Sequence, residues 1–511
     1  MGGLRVAREP AAAPLRMPWR EAVAVGRGFE LLRADVREHL ARCQREIGFK
    51  ACRFHAIFHD EVGVVTRGSE GELVYRWHHL DQIYDALLEL GLKPFVELNP
   101  MPACLASGDQ TMFHYRMNVT PPADFGEWGE FIEAFARHCV TRWGLDEVRS
   151  WNFEVWNEPN LSGFWSGTKE EYFQLYASAA RALKRVDAQL QVGGPASSKC
   201  AWLDDLIAWC ESEDVPLDFL STHLYSQDEF VEFDDRAGSP HEPNAFFIDR
   251  LRAAKAEVGD RPLHITEWNS LSCGSSKTVD WTGNPSVDNA YAGAFAARMA
   301  LELDQDVDTL CWWVASDRFE EGGVPQAPFG SIYGLLTVDG IPKSSYNALQ
   351  LCARLRGARQ SVSGDAAPNG CGLVATRECE TVHVVAYHQP FMAAGPAQPW
   401  QTTVRIPVDH AEQVVTAIRV RAGAGSAYET WLALGRPQDP SPAQMAVLRA
   451  HAVPEHTMTR HQAEQGELAL SVTVAPNEVL YLECREPSPA VHKLANPELE
   501  RWNADMGEQS R

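Results

Sequence analysis

From about residue 22 to residue 350, short apolar runs alternate eight times with longer amphipathic segments. "EAVAVG" precedes "LLRADVREHLARCQREI", "KACRFHAIF" precedes "WHHLDQIYDALLELG", and "KPFVELN" precedes "DFGEWGEFIEAFARHCVTRWG". The series continues through "SWNFEVWNEPN", "LQVGGPASS", "LDFLSTHLY", "PLHITEW" and "DTLCWWVASD", each followed by a segment long enough for a helix. Short strands fed into helices at this spacing imply parallel pairing, with the helices as crossovers. Eight such units predict an α/β chain folded as a (β/α)8 TIM barrel, placed at residues 21–356. A doubly wound sheet would want a glycine-rich turn after its first strand, and "AVGRGFELL" carries no G-x-G-x-x-G.

The 511 residues exceed what one core holds, so a second domain is expected. Past residue 356 the pattern changes to "TVHVVAYHQ", "WQTTVRIPV", "EQVVTAIRVRAG" and "LALSVTVAPNEVLYLEC", with turn-rich spacers and little helix. This predicts an accessory antiparallel β-sandwich over residues 357–487. Residues 1–20 form an N-terminal extension able to pair with the β-domain, and residues 488–511 a polar C-terminal tail.

A net charge of −23 with no Lys/Arg run argues against nucleic acid and poses no repulsion to a neutral ligand such as a sugar. The twelve cysteines include no C-x-x-C pair, and Cys52, Cys139, Cys210 and Cys311 lie in apolar segments as buried thiols. No uninterrupted apolar stretch marks a secretory signal or a membrane span, so a cytoplasmic protein with no membrane partner is expected. His55 and His59 have i, i+4 spacing, but at a strand end the two rings diverge, so no metal and no cofactor are expected. The oligomeric state is left open, a homo-oligomer included.

Catalytic groups of such barrels sit at the C-terminal ends of the strands. Those ends carry Arg53 and His55 (second), Glu97 (third), Asn157 and Glu158 (fourth), His223 and Tyr225 (sixth), Glu267 and Trp268 (seventh), and Trp313 and Asp317 (eighth). A buried glutamate at a strand end is costly unless something uses it. Two of them, Glu158 and Glu267, supply the carboxyl pair that glycoside hydrolysis needs. Glu97 reads as a structural hydrogen-bonding group beneath the site, and Arg53 with His55 as groups that buttress the carboxylates or bind the ring. Strand alternation lets only one of Trp312 and Trp313 face inward, and Trp313 is taken as the sugar platform.

The stretches "GFKACRFHAIFHDEV", "PFVELNPMP", "NVTPPADFGEW", "EVWNEPNLSGFWSG", "VGGPASS", "DFLSTHLYSQD", "HITEWNS" and "WWVASDRFEEGGVP" together resemble glycoside hydrolase family 39, the β-xylosidase and α-L-iduronidase family. The resemblance implies a retaining, exo-acting β-glycosidase, first of all a β-D-xylosidase and otherwise an α-L-arabinopyranosidase, β-galactosidase or β-glucosidase, acting on oligosaccharides or on aryl or alkyl glycosides. It implies Glu158 as acid/base, Glu267 as nucleophile and Asn157 as the partner of the sugar's 2-hydroxyl. His223 and Tyr225 would line the same subsite, Trp313 would floor it, and Glu320 would grip hydroxyls. The loop "APFGSIYGLL", with Phe329 and Tyr333, stands where the family's xylosidases usually show "FHGGFGL", and "VELNPMP" where they show "VELGFMP", so the glycone or aglycone pocket is where this chain would differ. A sugar-binding barrel that had lost catalysis would lack one glutamate, and an iduronidase would want a Lys or Arg in the pocket.

Overall fold

The computed structural model describes residues 3–226, 228, 243–271, 287–323, 327–390 and 397–487. The eight apolar runs form a closed parallel barrel. Its strands are Ala22–Arg27, Ala51–His55, Lys93–Leu98, Asn152–Val155, Gln191–Ser198, Phe219–Tyr225, Leu263–Asn269 and Thr309–Trp312. They are called the first to eighth strands below. Each is buried along almost its whole length, as strands covered by helices outside and side chains inside must be.

The crossover helices begin and end on local signals. Thr168 and Glu171 form a capping box that opens Lys169–Val186, and Asp124 accepts from Gly126 and Glu127 to open Phe125–Trp143. Gly48, at φ 85°, closes Ala34–Ile47 in the left-handed conformation that glycine adopts without strain. The apolar faces of these helices pack on the strands in one continuous core that includes Leu40, Leu87, Phe135, Tyr176 and Leu251.

The second module is a curled ten-stranded sheet. The N-terminal strand Leu4–Pro10 lies inside it, antiparallel to Ala358–Gly364 and parallel to Trp400–Pro407, with Leu4 and Val6 in its core. Two helices interrupt the β pattern, Tyr428–Ala433 and Pro442–His451, where little helix was expected. The second starts on a capping box, Ser441 with Gln444, and Pro442 occupies its first turn, so the start signal is present in "SPAQMAVLRAH". The segment from 488 onward, read as a tail, lies outside the described residues.

The loop that follows the eighth strand is held by a buried ionic knot. Lys343 Nζ lies 2.6 Å from Asp288 and 2.7 Å from Asp317, and donates to the Ile332 carbonyl at 2.7 Å. Asp317 also accepts from the Gly334 N–H at 2.7 Å, an approach so close that a Cβ at position 334 would lie 2.3 Å from the Asp317 nitrogen. Removing one partner of such a knot leaves buried charge uncompensated, at about 3–5 kcal/mol. We therefore expect Lys343→Met to lower unfolding free energy by about that amount in denaturant titration. The triple change with Asp288→Asn and Asp317→Asn should recover much of the loss.

Candidate active site

Arg53, on the second strand and fully buried, organises the barrel mouth. Its Nε donates to Glu154 at 2.6 Å, its Nη1 to Glu267 at 2.8 Å, and its Nη2 to the Asn157 side-chain oxygen at 2.8 Å. Nη2 also lies 2.6 Å from Glu97. One guanidinium thus ties the second, third, fourth and seventh strands together. Burial alone would lower its pKa, but the carboxylates of Glu154, Glu97 and Glu267 hold it well above the ordinary value.

The two candidate glutamates meet above this floor. Glu158 follows the fourth strand in a tight turn in which Trp156 and Glu158 have φ of 73° and 43°, and its N–H donates to the Ala196 carbonyl at 2.8 Å. Non-glycine residues held at positive φ store strain that functional sites commonly carry. Glu267 sits within the seventh strand. The facing atoms of Glu158, His223 and Glu267 all lie within 4.8 Å of one another.

Their surroundings differ. Glu267 accepts from Arg53 and from the Tyr225 hydroxyl, each at 2.8 Å. Tyr225 stays protonated, its pKa driven well up by burial and by Glu267. Glu158 is 8% exposed and has His223 Nδ1 3.1 Å from its Oε1. Burial pushes its carboxyl up to about 7, against the opposing pull of His55, Ser198 and Arg53. One carboxyl thus holds a proton up to about neutrality while the other is gripped by two donors, an arrangement that can pair a proton donor with a nucleophile or base.

The remaining predicted residues fall into three groups. Asn157, His55, His223, Tyr225 and Trp313 converge on the pair. His55 Nδ1 contacts Glu97 at 2.9 Å, its Nε2 lies 3.7 Å from Glu267, and its ring packs 4.5 Å from that of Trp313. Burial lowers His55 to about 4, so the ring is neutral. The Asn157 side-chain nitrogen is buried without a hydrogen-bond partner, a donor that a sugar hydroxyl would satisfy. Glu97 sits beneath, pushed up to about 8 by burial despite Arg53.

Glu320 and Phe329 are placed elsewhere. The Glu320 carboxylate is taken up by Arg27 and Arg33, each at 2.6 Å, and its neighbour Glu321 turns into the site, 3.7 Å from His55 Nε2. Burial and the nearby Glu267 and Glu158 drive Glu321 well above the usual carboxylate range. Phe329 is 3% exposed and packs on Tyr428 and Trp431, both in the helix Tyr428–Ala433 of the second module. Tyr333, from the same loop, faces Tyr225 at 5.9 Å instead. Sequence reasoning also missed Glu154 and Thr266, which lie inside strands. A glutamate within the apolar run "WNFEVW" was the available signal, since a buried carboxyl without a task is expensive.

Among the described residues, the set nearest to a metal-binding cluster is Glu158, His223 and Glu267 themselves. Each facing group already hydrogen-bonds another protein group, so the trio reads as an acid–base set. No described helix is long and apolar enough to cross a membrane.

The β-xylosidase of Caldicellulosiruptor saccharolyticus is 35% identical over 473 residues, 90% of this chain and 94% of that one. The β-xylosidase of Geobacillus stearothermophilus is 33% identical over 493 residues, 92% of each. The crystal structure of a monomeric β-xylosidase from Caulobacter crescentus CB15 superposes with a TM-score of 0.83 at 28% identity, covering 95% of this chain and 99% of that one. The sequence model described as "Glycosyl hydrolases family 39" matches residues 3–469, and the chain belongs to that family.

Proposed function

We propose that the protein is a retaining, exo-acting β-glycosidase whose first substrate class is β-D-xylosides, hydrolysed by double displacement. The observation that carries this reading is the approach of Glu158 and Glu267 to within 4.8 Å, with His223 against one and two donors aimed at the other. Retaining enzymes keep their carboxyls about 5–5.5 Å apart, whereas inverting enzymes leave about 6.5–9.5 Å for a water.

In the first step a Glu267 oxygen attacks the anomeric carbon while Glu158 passes its proton to the departing oxygen. Tyr225 and Arg53 orient the attacking carboxylate. Asn157 offers its free N–H pair to the sugar, and Trp313 forms an apolar wall beside His55. In the second step water attacks the same carbon, Glu158 takes its proton, and Glu267 leaves as carboxylate.

The xylosidase relatives support a pentopyranoside as glycone. Xylose lacks the exocyclic carbon of hexoses, and a pocket that fills that space gains only about 1–3 kcal/mol of discrimination. Tyr333 of the eighth-strand loop is the residue proposed to do so, a reading supported by its packing on Tyr225 at 5.9 Å beside the pair.

Two experiments follow. Glu267→Ala should abolish turnover of every substrate, while Glu158→Ala should spare dinitrophenyl glycosides, whose leaving group departs unprotonated. Azide should rescue both, giving the β-glycosyl azide with Glu158→Ala and the α-azide with Glu267→Ala; exchanged configurations would reverse the assigned roles. Separately, Tyr333→Ala should raise hexoside relative to xyloside turnover by roughly 10-fold or more. Phe329→Ala should leave that ratio unchanged and instead cost about 3–5 kcal/mol of stability, the usual loss for a buried phenylalanine.

A further inference from the structure

Beneath the carboxyl pair runs a continuous chain of buried hydrogen bonds from Glu267 to Glu158. Arg53 bridges Glu267 to Glu154 at 2.8 and 2.6 Å. Thr266 Oγ1 donates to the other Glu154 oxygen at 2.7 Å. His223 Nε2 lies 3.1 Å from Thr266 Oγ1, and its Nδ1 lies 3.1 Å from Glu158, where the chain ends. Arg53, Glu154, His223 and Thr266 have no measurable exposure.

We infer that Thr266, held by Glu154, is a positioning residue that fixes His223 in its Nε2–H form, so that the bare Nδ1 can only accept the proton carried by Glu158. A threonine hydroxyl has one hydrogen. Glu154, facing Arg53, keeps its carboxylate: burial would raise its pKa, but Arg53 and its other partners bring it below the ordinary value. Thr266 must therefore give its hydrogen to Glu154, since two bare oxygens at 2.7 Å would repel. That leaves Thr266 only an acceptor toward Nε2, which must carry a hydrogen. Burial lowers His223 to about 4, against the pull of Glu267, so a second ring proton is absent at neutral pH. Nδ1 then holds a lone pair.

Every group facing the pair enters this balance. His223 is flanked by Glu154 and Glu158 of the fourth strand and its turn, Thr266 and Glu267 of the seventh strand, Arg53 and Glu97. Glu158 is faced by His55, Arg53, Ser198, His223, Glu267, Tyr225 and, from the eighth-strand loop, Glu321. The consequence concerns both half-reactions. With its proton in place Glu158 donates to Nδ1. Once that proton has gone to the leaving oxygen, a carboxylate faces a lone pair, and the site favours its return. The proton comes from the attacking water, whose oxygen bonds to the anomeric carbon as the bond to Glu267 breaks.

This inference rests on Glu158 being the acid/base, and the test separates the two. The alkaline limb of kcat/KM for an aryl xyloside should fall near pH 7 in the wild type, and Glu158→Ala should remove it when the leaving group is dinitrophenolate. Persistence of the limb in that variant would overturn the role of Glu158, and the inference with it. Given its loss, Thr266→Val should move the limb down by about one pH unit in an enzyme that retains Glu158. His223 is then free to turn an N–H toward the carboxylate and stabilise the charged form. Thr266→Ser should keep the wild-type limb. A Thr266→Val limb that stays in place while kcat falls would make Thr266 merely structural and overturn the inference. Should that variant fail to fold, nitrogen-15 spectra of histidine-labelled wild-type protein decide: a proton on His223 Nε2 supports the assignment, and one on Nδ1 overturns it.

Discussion

The site depends on a guanidinium placed where water cannot reach it. Arg53 donates to partners contributed by three other strands, and each partner is a group that the chemistry uses or that supports one it uses. An unpaired charge at that depth would cost several kcal/mol, so the strands that carry Glu97, Glu154, Asn157 and Glu267 are bound to present them in one arrangement. The barrel provides the positions and the arginine fixes the orientations.

From that anchor the asymmetry between the two glutamates follows. Glu267 shares the arginine directly and adds Tyr225 as a second donor. Glu158, beyond the end of its strand, reaches the same network only through an imidazole that burial keeps neutral. Two carboxyls of the same type thus sit in different surroundings a few ångströms apart, an arrangement by which one site can combine acid and nucleophilic work. The left-handed backbone at Trp156 and Glu158 fits the same picture, since it turns Glu158 toward Glu267 against local preference.

Much of this was legible in the residues. Period and run length gave the eight strands because a strand buried on both faces has no room for polar alternation, and the glutamates stood out because they close such strands. The groups between strand and mouth were less visible. Thr266 is an ordinary β-branched strand residue until Glu154 lies 2.7 Å from it, and no spacing along the chain conveys that contact. The exchange of Glu320 for Glu321 came from loop direction: Arg27 and Arg33, distant in sequence, claim the first carboxylate and turn the second inward. Phe329 followed the helix Tyr428–Ala433 of the second module, whose aromatic face at Tyr428 and Trp431 competes with the site for it.

The central claim is that Glu158 and Glu267 act by double displacement, with no water between them in the first step. The most direct measurement is proton NMR of the sugar released in the first seconds of hydrolysis of an aryl β-xyloside, before mutarotation. The account requires β-xylose as the first-formed anomer; α-xylose appearing first would show a single displacement and contradict it.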